Sequence, residues 1–305
     1  MKVLVTGAGG FVGKHLCSLL SSNGHNVLGL DHSNTLDVPN IEKVIIDITD
    51  NEKINKVFSD FMPEVVYHLA GIAFVPTCEQ NFKLALDVNV LGTYNLTKAS
   101  ELSNAKSRFI FISTANVYGI VTPDEMPLTE SSEIRINNNY ALTKLMGEDI
   151  INKYQNVNDI DCVIFRAFNH IGPGQAKEFV IPSFAFQISE IAKGKKEATL
   201  DVGNLEAIRD FTDVRDIVNA YFLAINKGKG VYNLCSNNEI SIQTIVDKLI
   251  LLSGQGIKIR IDESRLRAND IPVLRGNNNK AQKDLNWHPK INLEDSLKDI
   301  YNQFL

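Results

Sequence analysis

The sequence predicts an α/β protein: a doubly wound parallel sheet with a smaller, sequence-interwoven C-terminal lobe. Three observations carry this. Apolar, β-branched runs recur without polar alternation, as strands covered on both faces require. Helical patterns long enough to cross over a sheet lie between them. The first run also turns into a helix through Thr6-Gly7-Ala8-Gly9-Gly10-Phe11-Val12-Gly13, a glycine-rich strand-to-helix junction.

The elements follow in order. Val3-Leu4-Val5 is the first strand, and the helical pattern Val12 to Ser22 leaves it directly. Asn26-Val27-Leu28-Gly29-Leu30 and Val44-Ile45-Ile46 are the second and third strands. Val65-Val66-Tyr67-His68-Leu69 leads to a helix from Asn81 to Glu101, and Arg108-Phe109-Ile110-Phe111-Ile112 leads to one from Tyr140 to Tyr154. Cys162-Val163-Ile164-Phe165 closes the series. After Asn169 the texture changes to Gly172-Pro173-Gly174-Gln175, a helical stretch and the loop Gly203-Asn204-Leu205-Glu206, where a second lobe begins. Val214 to Ile225 reads again as a sheet-covering helix and Val231-Tyr232-Asn233-Leu234 as a strand. Residues 1–168 with 209–236 are therefore expected to form the main domain, and 169–208 with 237–305 the smaller lobe. Short helices and Trp287-His288-Pro289 complete that lobe, and Asn277-Asn278-Asn279 reads as a loop.

With 305 residues, 44% hydrophobic and 22% charged, the chain can bury a full core. A formal net charge of -5 gives no reason to expect nucleic acid or an anionic membrane as partner. Cys17, Cys78, Cys162 and Cys235 show no CxxC pairing and read as reduced core thiols, with no metal site. The chain opens too abruptly into Thr6-Gly7 for a signal peptide, and no apolar stretch is long enough to span a bilayer, so a soluble, cytoplasmic protein is expected.

Chemistry concentrates at a few positions. Gly7, Gly10 and Gly13 permit a tight turn, close approach of a pyrophosphate and close helix–strand packing, and the helix N-terminus offers N–H groups to phosphate. Asp31 ends the second strand, where a carboxylate accepts both adenosine ribose hydroxyls and repels a 2′-phosphate; NAD(H) is favoured, while Lys14 and His32 leave NADP(H) open. Asp47 and Ile48 fall where they could flank the adenine. Tyr140 and Lys144, four apart, share a helix face, so the cation is expected to favour phenolate character and the phenol to exchange a proton near neutral pH.

On these motifs the chain resembles the short-chain dehydrogenase/reductase superfamily, a Rossmann fold, in its extended, nucleotide-sugar-modifying branch. His68-Leu69-Ala70-Gly71, Asn89-Val90-Leu91-Gly92-Thr93 and Ser113-Thr114-Ala115-Asn116-Val117-Tyr118-Gly119 add to the likeness. The resemblance implies cofactor contacts from Gly7, Gly10, Phe11, Val12, Leu69 and Ala70. It implies that Thr114 hydrogen-bonds the substrate oxygen, Tyr140 exchanges the proton, and Lys144 holds the nicotinamide ribose and depresses the tyrosine pKa. Arg166-Ala167-Phe168-Asn169-His170 and Arg209-Asp210-Phe211-Thr212-Asp213 resemble the GDP-mannose 4,6-dehydratase and GDP-6-deoxy-D-mannose reductase group, closest to its reductases. That implies a GDP-sugar held by Asn169, Val180, Arg209, Arg267 and Asp270. Arg209 beside Asp210, and Arg267 near Glu263 and Asp270, also have a plainer reading as surface ion pairs.

A dehydratase of this group carries a carboxylate two residues after the Thr114 position, where this chain has Asn116, and an amide cannot shuttle the proton; reductases of the group can carry a glutamate there too, so Asn116 departs from both patterns and excludes dehydration more firmly than it supports reduction. The related epimerase-reductases use a cysteine and a downstream histidine where this chain has Ala115 and Phe179. What remains is hydride transfer at a sugar C4: reduction of a GDP-4-keto-6-deoxy-D-mannose-like sugar to GDP-D-rhamnose or a close relative. A 4-dehydrogenase or 4-epimerase using NAD is the alternative, and a catalytically silent dinucleotide sensor the remote one. The helices starting near Asn81 and Tyr140 are expected to form a homodimer interface.

Overall fold

A computed structural model describes residues 1–266 and 271–305; Arg267 and Asp270 lie outside the described residues. Among these, the main sheet has seven strands, all parallel. They include β1 (Lys2–Thr6), β2 (Asn26–Asp31), β3 (Glu42–Ile45), β4 (Val65–His68), β5 (Arg108–Thr114) and β6 (Val163–Ala167), with Gly230–Leu234 beyond β6. The order across the sheet is Gly230–Leu234, β6, β5, β4, β1, β2, β3.

The unbroken apolar runs follow from burial on two sides. Val3 and Val5 join one core with Tyr67, Phe165, Leu16, Ile217 and Trp287. Leu4, between them, faces the opposite core with Val66, Phe111, Phe58, Leu96 and Tyr154. Alternate residues of each strand thus point to opposite helix layers, and both layers are predominantly apolar.

Helix α1 (Phe11–Ser22) and the helix Val214–Leu223 cover one face; α2 (Asn51–Phe61) and the helices Gly92–Leu102 and Asn139–Asn158 cover the other. The polar run of α2 hides a narrow stripe, Ile54, Val57 and Phe58, started by Asp50, whose carboxylate accepts the Lys53 N–H at 3.2 Å. The expected helix from Asn81 to Glu101 is built from Phe82–Ala85, a π-helical turn Leu86–Leu91 and Gly92–Leu102, after a separate short helix Val75–Gln80.

A third core, away from the main sheet, holds Ile181, Phe184, Leu200, Phe211, Ile245, Leu249, Leu297 and Ile300. Its central strand, Ile208–Asp213, pairs in parallel with Asn169–Ile171 and Val273–Leu274 and antiparallel with Glu239–Ser241. The helix Val214–Leu223 leaves that strand and returns to the main sheet. Asn277-Asn278-Asn279 is more than a loop. Asn278 is fully buried, donates to the Cys235 carbonyl at 2.7 Å and accepts from Asn237 at 2.7 Å, and Asn279 begins the helix Asn279–Leu285.

Candidate active site

β1 and β4 are adjacent, yet their connections leave in opposite directions, so a crevice opens at their carboxyl ends. Gly7 lines it with φ +67°, and a Cβ there would lie 2.8 Å from the Ala70 nitrogen. A Cβ on Gly13 would meet the Gly7 carbonyl oxygen at 2.1 Å, so only glycine lets α1 start so close to β1. Gly10 is the N-cap of α1 and no side chain caps it, which leaves the Phe11–Val12 turn able to receive an anion. Asp31 accepts the Gly9 N–H at 2.9 Å and the Ser33 N–H and hydroxyl at 3.1 Å. Leu69 and Ala70 follow β4, and the Ala70 N–H donates to Thr6 Oγ1 at 3.2 Å. Asp47 accepts from the Thr49 N–H at 2.9 Å, while Ile48 is buried with its carbonyl held by Asn95 at 3.0 Å. These groups fit a dinucleotide: backbone N–H for its pyrophosphate, Asp31 for its ribose.

His68, the first residue of the motif His68-Leu69-Ala70-Gly71, ends β4. Here its ring is fully enclosed and its tautomer is fixed by its neighbours. The Thr93 hydroxyl donates to the Asn89 carbonyl at 2.6 Å, so His68 Nε2–H must donate to Thr93 Oγ1 at 2.9 Å. Nδ1 then accepts from Thr6 Oγ1–H at 2.8 Å. Burial, with a lesser push from Lys144, lowers its pKa to about 3. Asn89 projects from the π-helical turn, its carboxamide accepting the Ile72 N–H at 2.7 Å and donating to Thr143 Oγ1 at 2.9 Å. It thereby ties the segment after β4 to the helix Asn139–Asn158.

Thr114 ends β5, 7% exposed, and its Oγ1 accepts the Asn116 N–H at 3.2 Å. Tyr140 lies in the first turn of the helix Asn139–Asn158, where Asn138 caps by accepting the Ala141 N–H at 2.8 Å. Burial raises the Tyr140 phenol to about 12, opposed by a hydrogen bond with Thr114. The depression expected from a cation four residues on is not found. Lys144 is not among the groups that perturb Tyr140; its ammonium lies 4.5 Å from the centre of the Phe111 ring. Burial lowers Lys144 to about 8, with Glu148 and Cys78 acting in the opposite sense. Tyr140 is thus a protonated phenol beside Thr114, and Lys144 a desolvated cation.

Beneath them lies a polar cluster that reading along the chain missed. Glu148, 2% exposed, accepts from Ser113 Oγ at 2.5 Å, from Arg166 Nε at 3.0 Å and from Arg166 Nη2 at 2.7 Å. Arg166 also donates to the Tyr118 hydroxyl at 3.3 Å, which donates to Asn233 at 2.7 Å. The signals were present: Glu148 is one turn beyond Lys144, and Arg166 interrupts an otherwise apolar strand.

The substrate-side residues lie on the second sheet and its helix. Asn169 starts the strand beside Ile208–Asp213, opposite Phe211. Val180 begins the helix Val180–Ala192 and is 42% exposed; Phe179, its N-cap, meets Phe74 edge-on at 6.0 Å. Arg209 donates to the carbonyls of Ile208 at 2.9 Å and Pro272 at 3.3 Å. Asp210, fully buried, accepts the Ser236 N–H at 2.6 Å, and burial raises it to about 6. A buried Asp210 does not suit the plainer reading of Arg209 and Asp210 as a surface pair.

Known proteins share the sequence pattern and the fold of this chain. The family model for GDP-mannose 4,6-dehydratase matches residues 4–300. GDP-6-deoxy-D-mannose reductase of Pseudomonas aeruginosa is 32% identical over 99% of this chain and 97% of its own length. GDP-6-deoxy-D-talose 4-dehydrogenase of Aggregatibacter actinomycetemcomitans is 32% identical over 92% of this chain and 90% of its own. The structure of RMD from Pseudomonas aeruginosa complexed with NADPH superposes with a TM-score of 0.89 at 30% identity, covering 100% of this chain and 99% of that one. A UDP-glucose 4-epimerase of Thermus thermophilus in complex with NAD gives 0.90 at 26% identity, covering 100% and 99%. Among the described residues no helix is long and apolar enough to cross a membrane.

Proposed function

The chain belongs to the GDP-mannose 4,6-dehydratase family of extended short-chain dehydrogenase/reductases, and from that premise we propose that it reduces C4 of a GDP-4-keto-6-deoxy-D-mannose-like sugar. The product is GDP-D-rhamnose or a close relative. The observation that carries this reading is the Thr114–Tyr140 hydroxyl pair beside a buried Lys144, with Asn116 and Ala115 where acid/base residues would be needed for dehydration or epimerisation.

A bound NAD(P)H supplies the hydride. Tyr140, protonated and partly buried, gives its proton to the C4 oxygen; Thr114 donates to that oxygen and steadies it; Lys144 stabilises the phenolate left behind. Gly7, Gly10, Phe11, Val12, Leu69 and Ala70 hold the dinucleotide, with Asp47 and Ile48 at its adenine end. Asp31 takes the ribose hydroxyls and favours NAD(H) over NADP(H). Asn169, Val180 and Arg209 serve the nucleotide-sugar, Arg209 as a guanidinium for its diphosphate.

Asp31 also supports a second reading, oxidation at C4 or inversion there with a retained NAD, because a diol-binding carboxylate suits NAD in either direction. Mixing the protein with GDP-4-keto-6-deoxy-D-mannose and NADH or NADPH, then following cofactor absorbance and product NMR, separates the readings. No oxidation with either cofactor sinks the reductase; inversion at C4 without net consumption establishes the epimerase.

For assembly we take the helices Phe82–Ala85, Gly92–Leu102 and Asn139–Asn158 as a homodimer face. They expose Leu84, Tyr94, Leu102, Met146 and Val157, apolar side chains that a second copy would cover. Light scattering that reports a monomer at micromolar concentration would remove it.

A further inference from the structure

The surroundings of Lys144 assign a role to Glu148. Each element packed on the ammonium presents a group to it. The helix Val75–Gln80 offers the Cys78 thiol, β4 the His68 ring, β5 the Phe111 ring, and its own helix Glu148, with Tyr140 one turn before Lys144. Burial pushes the Cys78 thiol and the Tyr140 phenol up and the His68 imidazole down, so all three are neutral near pH 7. Glu79, on the Cys78 helix, is exposed and bound to Asn139 at 2.7 Å and 3.1 Å. Among the described residues, Glu148 is therefore the acidic group that favours the Lys144 charge, with the Arg166 guanidinium bound to it from β6.

Glu148 acts without touching. Arg166 forks onto both of its oxygens at 3.0 and 2.7 Å, and Ser113 takes one of them at 2.5 Å. So clamped, the carboxylate cannot swing one turn back to pair with Lys144. In a dry interior its field still reaches the ammonium, while the N–H donors of Lys144 stay available for a ligand.

We propose that Glu148 is a positioning residue for the cofactor: held by Arg166 and Ser113 one helical turn beyond Lys144, its carboxylate favours the charged ammonium while leaving it free to bind the nicotinamide ribose. This rests on the reading of Lys144 as the ribose-binding cation. It does not depend on which sugar is reduced.

The test is NADH binding, followed by cofactor fluorescence from pH 6 to 10 without any sugar. Wild-type affinity should fall as pH rises through the Lys144 value of about 8. In Glu148→Gln the fall should come about one pH unit earlier, which is roughly tenfold weaker binding at pH 8. Glu148→Asp keeps the charge and should follow the wild type. Because Glu148→Gln strands the Arg166 charge in the interior, Glu148→Gln with Arg166→Gln is measured beside it, and circular dichroism at pH 6 verifies the fold of each. The earlier fall in the single or the double variant, with Glu148→Asp unchanged, supports the proposal. A folded Gln variant that keeps the wild-type midpoint overturns it, as does an Asp variant displaced as far as Gln. A wild-type curve with no inflection in this range removes the Lys144 premise itself, and absorbance assays with the GDP-sugar then judge the reductase reading separately.

Discussion

At the scale of single residues, Lys144 is where stability and function pull apart. Burial lowers its pKa from 10.5 to about 8, so between those values the folded state binds fewer protons than the unfolded chain. The cost of burying the ammonium is fully present below pH 8 and fades as pH rises toward 10.5. Lys144→Met removes that cost, and urea denaturation at pH 7 should show a gain of about 2–3 kcal/mol, while NADH titration should show binding abolished. Asp31 makes a cofactor-selectivity prediction of the same kind. Its carboxylate, fixed by Gly9 and Ser33, would face a 2′-phosphate, so Asp31→Ser should raise the kcat/KM ratio of NADPH to NADH by about tenfold or more. The glycines, Asp31, Thr114, Tyr140 and Lys144 were legible in the sequence because each lies in a short run whose spacing carries the meaning. Glu148 and Arg166 were not singled out, because one comes from a helix and the other from β6, and only the fold brings them together. The pKa of Tyr140 ran opposite to expectation for a related reason: helical spacing gives proximity, but not burial.

At the scale of elements, the close packing of the helix Asn139–Asn158 on β5 positions the cation. A Cβ on Gly147 would lie 2.5 Å from Phe111 Cζ, so the ring fits under Lys144 only because that residue has no side chain. Gly147→Ala gains helix propensity but must displace an interior aromatic ring. The clash should win, lowering stability by about 1–3 kcal/mol in chemical denaturation and weakening NADH binding. Adding Phe111→Leu should recover part of the stability; no recovery would place the strain elsewhere. The helix itself was plain from its pattern, as were the long strands. The helix α2 and the π-helical turn were not. The first hides three core residues in a polar run, and the second depends on Asn89 reaching Ile72 and Thr143, contacts 17 and 54 positions away.

At the scale of the whole molecule, the doubly wound sheet was readable because its buried strands are continuous apolar runs, whereas the second sheet is made of strands as short as Val273–Leu274, which carry no pattern. The two halves oppose each other in their response to acid. His68, in the main sheet, has a folded pKa near 3 against 6.5 unfolded, so the folded state binds fewer protons and stability falls as pH drops below 6.5. Asp210, in the second sheet, has a folded pKa near 6 against 3.8, so the folded state binds more protons and stability rises as pH drops through 6. Between pH 7 and 5, His68 alone withdraws about 2 kcal/mol and Asp210 returns about 1 kcal/mol. Asp210→Asn keeps an oxygen for the Ser236 N–H but removes the proton uptake. Urea denaturation at the two pH values should therefore show the variant losing about 1 kcal/mol more than the wild type on acidification. Because every other titrating group is common to both proteins, their difference isolates Asp210, and parallel losses would mean that its carboxyl is not held neutral by the fold.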